Sequence, residues 1–332
     1  MSRITVLGAG AWGTALAISL ARRGGHRLCL WAHSPKLAEQ LRDGGENLTY
    51  LPGYILPVDV HVTNDLPDAV FEADIIVCVV PSQHMRGIVS HIAPLLTPSQ
   101  VVLSASKGIE ESSFLRMSQV IGSVTSNPCA VLSGPTFAQE VAAGSPTAIV
   151  ATANNLRLAQ AIQRDFASPS MRVYTNDDVT GVELGGALKN VIALAAGVVK
   201  GLNLGHNSAA ALITRGIAEI TRLAVACGGR PQTVAGLAGV GDLILTCTGE
   251  LSRNRSVGIE LGRGRALDDI LSGMGGKVAE GVRSTTAALG LAARYEVEMP
   301  ITEQVDAILH QNKKPSDAIR DLMSRPGRNE LQ

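Results

Sequence analysis

Four stretches of this sequence place glycines or charges where they have chemistry to do. The first is Gly8-x-Gly10-x-x-Gly13, directly after the apolar run Ile4 to Leu7 and at the start of a helical pattern. In that setting each glycine has its own mechanical reason. The first permits a tight strand-to-helix turn, the second lets backbone approach a pyrophosphate, and the third allows close packing of helix on strand. The helix start then offers unpaired amides to phosphate. Gly8, Gly10, Ala11, Trp12 and Gly13 therefore predict a dinucleotide loop, although in isolation three glycines at this spacing also make a plain turn.

The second stretch is Ser104-Ala105-Ser106-Lys107-Gly108, at the C-terminal end of a predicted strand, where open α/β sheets bind ligands. Lys107 is expected to point into that crevice. In the third, Lys189 and Asn190 interrupt the apolar helical face from Glu183 to Val191. A lysine there either snorkels to water or is buried for a purpose. Two lysines converging on one crevice would lower each other's pKa, which suits proton exchange.

The fourth runs from Gly239 to Cys247 and on to Arg255. If residues 243–248 are helical, Asp242 and Thr246 share a face one turn apart. Ser252 and Asn254 suit helix capping, and with Arg253 they could form an oxyanion or phosphate pocket. Taken alone, Ser252-Arg253-Asn254-Arg255 reads first as an exposed basic loop.

The elements that must position these residues follow from periodicity. Strands are predicted at Ile4 to Leu7, Leu28 to Trp31, Val58 to Val62, Ile75 to Val80, Val101 to Ser104, Ala130 to Ser133 and Ala148 to Ala151, with helical segments between most of them. This α/β rhythm predicts a Rossmann-type, doubly wound parallel sheet. Ile75 to Val80 is apolar throughout, as a strand covered on both faces should be. Beyond Asp178 the pattern changes to long helices at Val182 to Leu202, Ser208 to Ala226 and Ser284 to Tyr295. The expected division is a dinucleotide-binding domain over 1–178 and a mainly α-helical substrate domain over 179–332. Asn176-Asp177-Asp178 would cap the first helix of the second.

An NAD-selective site carries an acidic residue at the end of its second strand; here the sequence reads Trp31-Ala32-His33-Ser34. No carboxylate would repel a 2′-phosphate, so NADP(H), or both NADP(H) and NAD(H), is the expected cofactor. His33 either donates to that phosphate or ribose, or is an ordinary exposed histidine.

Composition excludes several classes. The 332 residues carry 29 Lys plus Arg against 29 Asp plus Glu, leaving no field to hold nucleic acid or an anionic membrane. Five cysteines, at 29, 78, 129, 227 and 247, read as reduced core residues of a cytoplasmic protein. No secretion signal is visible. The run Val191 to Val199 looks too short to cross a bilayer. Metal-spaced His and Cys pairs and a Gly-x-Ser-x-Gly turn are absent, so no metal site and no serine hydrolase is expected. His206 reads as a loop residue.

Seven ordered motifs together resemble the bacterial type of NAD(P)-dependent glycerol-3-phosphate dehydrogenase. They are Gly8 to Thr14, Ser106 to Gly108, Ser133 to Phe137, Gly185 to Val191, Gly239 to Thr248, Ser252 to Arg255, and Val278 to Gly281. The resemblance implies reversible hydride transfer between NAD(P)H and dihydroxyacetone phosphate, giving sn-glycerol 3-phosphate, a phospholipid precursor. It further implies that Lys189 exchanges the proton at the substrate oxygen, with Lys107, Asp242, Asn190 and Thr246 around it. By the same matching, Ser252, Arg253 and Asn254 hold the substrate phosphate, and Gly134 and Thr136 line the pocket. Trp12, His33, Tyr50, Lys107, Ala138, Arg253, Val278 and Glu280 would contact the dinucleotide. A homodimer is a weaker expectation. The competing readings are another two-domain reductase, of the hydroxyacid or 6-phosphogluconate type, and a non-catalytic dinucleotide sensor.

Overall fold

The computed structural model describes residues 1–274, 279–327 and 329–330. The first half holds ten strands: β1 (Ser2–Leu7), β2 (His26–Trp31), β3 (Glu46–Asn47), β4 (Leu51–Ile55), β5 (Val60–Thr63), β6 (Ile75–Cys78), β7 (Val101–Ser104), β8 (Cys129–Ser133), β9 (Thr147–Thr152) and β10 (Met171–Asn176). Eight of them form one sheet in the order β10-β9-β8-β7-β6-β1-β2-β5, and β3 and β4 pair separately. From β5 to β8 all neighbours are parallel. Every residue of β6 is buried, as its unbroken apolar run requires.

The sheet departs from the expected all-parallel form at one edge. β9 runs antiparallel to β8, and β10 then runs parallel to β9. The apolar run of β9 fixes a strand but carries no direction. Two elements had no visible signal. β10 buries only Met171 and Val173, with exposed Arg172 and Tyr174 between them. The β3–β4 pair is short, and Pro52 and Gly53 interrupt the apolar residues of β4.

After β10 every regular element is helical. Asp178 caps the helix Val179–Gly201, accepting from the Gly181 amide at 2.8 Å, and also accepts from Arg230 N at 2.7 Å. This helix is buried from Gly181 to Val199 and forms the axis of the helical half. At 23 residues it is long and apolar enough to cross a membrane, unlike the shorter run Val191 to Val199 on which the sequence reading rests. Its apolar window is instead wholly enclosed by the protein. His206 begins the helix His206–Ala226 rather than lying in a loop.

Two close backbone approaches set the geometry of the site. The helix Arg253–Gly262 lies against Val179–Gly201 so tightly that a Cβ on Gly258 would stand 2.0 Å from the Leu194 carbonyl oxygen. A Cβ on Gly197 would stand 2.2 Å from that of Arg255. Similarly, a Cβ on Gly185 would lie 2.8 Å from Ala238 O, just before Asp242. The two halves are joined by the buried Glu183, which pairs with Arg116 and accepts from Ser118 N and Oγ at 2.7 and 2.6 Å.

Candidate active site

β1 and β6 are neighbours, and the chain leaves them towards opposite ends of the sheet, so a crevice opens at their C-terminal ends. The glycine loop sits there. Gly8 has φ of +120°, and a Cβ on it would stand 2.4 Å from Val79 O. One on Gly13 would stand 1.8 Å from Gly8 O, whereas Gly10 faces open space. The first and third glycines are therefore demanded by backbone, and the second leaves room for a ligand. Ala11 and Trp12 open the helix Ala11–Arg23, whose first amides have no side-chain cap.

Asn47, missed in the sequence, shapes this loop. It is fully buried, and its amide donates to Ala9 O at 2.9 Å and Thr14 Oγ1 at 2.8 Å. Its Oδ1 accepts from the Tyr50 amide at 3.1 Å, which fixes Tyr50 beside the loop. No motif marks Asn47, because its task is to satisfy loop backbone from a distant segment. His33 is exposed just beyond β2, with its ring 5.6 Å from that of Trp31.

Each residue of Ser106-Lys107-Gly108 has a separate task. The Ser106 hydroxyl pins the backbone of Val80, donating to its carbonyl at 2.5 Å and accepting from its amide at 3.1 Å. Lys107 Nζ donates to Asp242 Oδ2 at 2.6 Å, to Gly134 O at 2.7 Å and, more weakly, to Thr136 Oγ1 at 3.4 Å. Gly108 packs directly on Ser82. Lys107 also shares a small void with Trp12, Ser133 and Thr136, and Ala138 begins the helix just beyond.

From the helical half, Lys189 Nζ donates to the other oxygen of the same carboxylate, Asp242 Oδ1, at 2.5 Å, and to Thr246 Oγ1 at 2.9 Å. Asp242 is wholly buried. It follows a π-helical turn at Leu237–Gly241 and begins the helix Asp242–Thr248, so Asp242 and Thr246 share a face as the spacing predicts. The Thr246 hydroxyl donates to Asp242 O at 2.6 Å. Burial lowers the pKa of Lys189 to about 8; Asp242 works against that shift and Lys107 adds to it. The enclosed Cys247 thiol is pushed up to about 12 and stays protonated.

A third group lies at the start of the helix Arg253–Gly262. Ser252 caps it, accepting from Arg255 N at 3.2 Å. Asn254 is not a cap of its own helix, as expected, but lies inside it. Its amide donates to Asn190 Oδ1 at 3.0 Å, and its Oδ1 accepts from Gly281 N at 2.9 Å, near the start of the helix Glu280–Arg294. Arg253 has no hydrogen bond or ion pair among the described residues, and its exposed guanidinium is open to a ligand. Partial desolvation lowers its pKa and the charge of Glu280 opposes this. The Glu280 carboxylate accepts from Ser82 Oγ at 2.9 Å, across from the sheet. Val278 lies outside the described residues.

The structure thus gathers Lys107, Gly134, Thr136, Lys189, Asp242 and Thr246 into one cluster. Asn190 and Asn254 form a second, and Arg253 and Glu280 a third. Tyr50 and His33 stand apart, on the glycine-loop side. Residues 3–159 match the model of the NAD-dependent glycerol-3-phosphate dehydrogenase N-terminus, and residues 178–320 match that of its C-terminus. The chain belongs to this family. A glycerol-3-phosphate dehydrogenase (NAD(P)+) of Acidobacterium capsulatum is 60% identical over 338 residues, covering 99% of this chain and 100% of that protein. One from Koribacter versatilis is 57% identical, covering 100% and 99%. The crystal structure of glycerol-3-phosphate dehydrogenase from Coxiella burnetii superposes with a TM-score of 0.94 at 38% identity, covering 98% of this chain and 99% of that one.

Proposed function

We propose that this enzyme reduces dihydroxyacetone phosphate to sn-glycerol 3-phosphate and runs the reaction in reverse, with NADP(H) or NAD(H) as cofactor. The observation that carries the reading is the buried Lys189, its pKa lowered to about 8, beside Asp242 at the C-terminal ends of the strands of a dinucleotide-type sheet. Full-length relatives that bear the name glycerol-3-phosphate dehydrogenase (NAD(P)+) support it.

The bound nicotinamide supplies or accepts the hydride. As negative charge builds on the ketone oxygen, the Lys189 ammonium stabilises it and gives up a proton. In the oxidative direction neutral Lys189 takes that proton. Asp242 orients Lys189 and limits its loss of charge, and Lys107 keeps the shared carboxylate from fully restoring it. Two ammonium groups on one carboxylate leave the pocket net positive, which favours an anionic substrate.

Arg253 is assigned the substrate phosphate, and its open guanidinium supports a bidentate contact. Among the described residues the Ser252 hydroxyl only accepts, from Arg255 N, which leaves its proton to assist. Asn254 has one remaining amide proton for substrate, because the rest of its side chain holds Asn190 and Gly281 in place. Gly134 and Thr136 line the pocket beside Lys107. Trp12, Tyr50, His33, Ala138, Val278 and Glu280 are assigned to the dinucleotide. The absence of a carboxylate at His33-Ser34 favours acceptance of the 2′-phosphate. We place the division of labour at residue 178, and the enzyme in the cytoplasm, where its product feeds phospholipid synthesis.

Absorbance of NADPH with purified protein tests this. Consumption with dihydroxyacetone phosphate, and none with 2-keto acids, is expected. Consumption with 2-keto acids instead would favour the hydroxyacid class, and tight NADPH binding with no consumption on any substrate would favour a sensor.

A further inference from the structure

We propose that Ser82 is a positioning residue, holding the Glu280 carboxylate at the cofactor crevice and tying it to the loop that carries Lys107. The proposal rests on the reading of Glu280 as a dinucleotide contact.

Ser82 begins a short 3-10 turn just after β6, beside the glycine loop, and is only 1% exposed. Its hydroxyl has one proton, and the surroundings direct it. Gln83 Nε2 donates to Ser82 Oγ at 3.3 Å, so the Ser82 proton is left for Glu280 Oε2 at 2.9 Å. Gln83 is itself fixed at both ends of its amide. Nε2 donates to Ile109 O at 2.8 Å, and Oε1 accepts from Glu111 N at 3.0 Å.

The packing makes the same link. A Cβ on Gly108 would stand 2.5 Å from both Cβ and Oγ of Ser82, so the Gly108 backbone packs directly against the Ser82 side chain. Gly108 follows Lys107 directly. The Ser82 side chain therefore bridges the Lys107 loop on the sheet half and Glu280 on the helical half.

The contact also governs the charge of Glu280. Burial raises the pKa of this carboxyl, while the Ser82 hydroxyl, Arg253, the Ser82 amide and Arg283 pull it down. Among the described residues, Arg253 and Arg283 are the charged groups that act on it. Loss of the hydroxyl removes a stabilising donor from the charged form, so Glu280 must protonate at higher pH. An ionised carboxylate accepts hydrogen bonds from ribose hydroxyls or an amide more strongly than a neutral one, so cofactor affinity should follow its charge.

NADPH binding, followed by quenching of the two tryptophans, Trp12 and Trp31, across the acid to neutral range, tests this without turnover. Ser82→Ala should weaken binding about tenfold near neutral pH. Its loss of affinity on acidification should begin at higher pH than in wild type, with an unchanged melting temperature. Wild-type affinity, or weaker binding with the acid limb unmoved, would overturn the role given to Ser82. Ser82→Cys keeps the volume with a poor donor, and carries the same expectation if the alanine variant does not fold. Glu280→Gln should weaken binding and abolish the acid limb. Unchanged affinity in that variant would overturn the reading of Glu280 beneath the proposal.

Discussion

Lys107 and Lys189 donate to opposite oxygens of a single buried carboxylate, Asp242, at 2.6 and 2.5 Å. One negative charge cannot satisfy two ammonium groups in a desolvated site. Lys189 is the more deeply enclosed of the two, and burial lowers its pKa to about 8. The bridge also crosses the halves, so the proton-exchanging group is correctly tuned only when the helical half is seated on the sheet.

The direction of that shift fixes the pH dependence. Oxidation of sn-glycerol 3-phosphate needs neutral Lys189, whose pKa is lowered to about 8. The kcat/KM for oxidation should therefore rise with pH through about 8 and level off above it, while reduction declines over the same range. Initial rates in both directions across that range check this; a flat oxidative profile would contradict it.

Asp242→Asn removes the charge that holds the Lys189 pKa up. The oxidative limb should move to lower pH and turnover should fall more than tenfold. Two cations left facing each other should also cost ~3 kcal/mol of stability, read by urea unfolding. An unmoved limb would show that Asp242 does not tune Lys189.

Arg253→Ala should raise KM for dihydroxyacetone phosphate by about 10- to 100-fold, the loss expected for charge-assisted contacts. The slow reaction of unphosphorylated dihydroxyacetone should be unaffected. Equal losses on both ketones would place Arg253 away from the phosphate.

Gly258→Ala would drive a methyl group to 2.0 Å from the Leu194 carbonyl, where rigid backbone must give way. A loss of about 3 kcal/mol is expected, with reduced kcat as Arg253 and Asn254 shift against Asn190. Gly87→Ala, in a helix and with no atom within 4 Å of its new methyl, should instead stabilise by roughly 0.5–1 kcal/mol. Thermal unfolding of the two variants compares them directly.

Much of this was legible in the sequence because the signals were local. The strand–glycine loop–helix context located the crevice, and the four-residue spacing of Asp242 and Thr246 holds in the structure. The convergence of Lys107 and Lys189 was an expectation drawn from their surroundings, and the tertiary fold supplies it through Asp242. What escaped depended on distant partners. Asn47 reads as a loop residue until it is seen to hold Ala9 and Thr14, and Ser82 until it meets Glu280. Asn254 reads as a helix cap in the sequence because its partners, Asn190 and Gly281, come from two other segments. The antiparallel β9 escaped because an apolar run does not encode strand direction.

The most direct test of the account is the steady-state kinetics of Lys189→Ala, with NADPH binding measured on the same sample. The geometry predicts turnover of dihydroxyacetone phosphate reduced about 10²- to 10⁴-fold, the usual worth of a positioned acid, with NADPH affinity retained. Turnover near that of the wild type would contradict the role of Lys189 on which the mechanism rests.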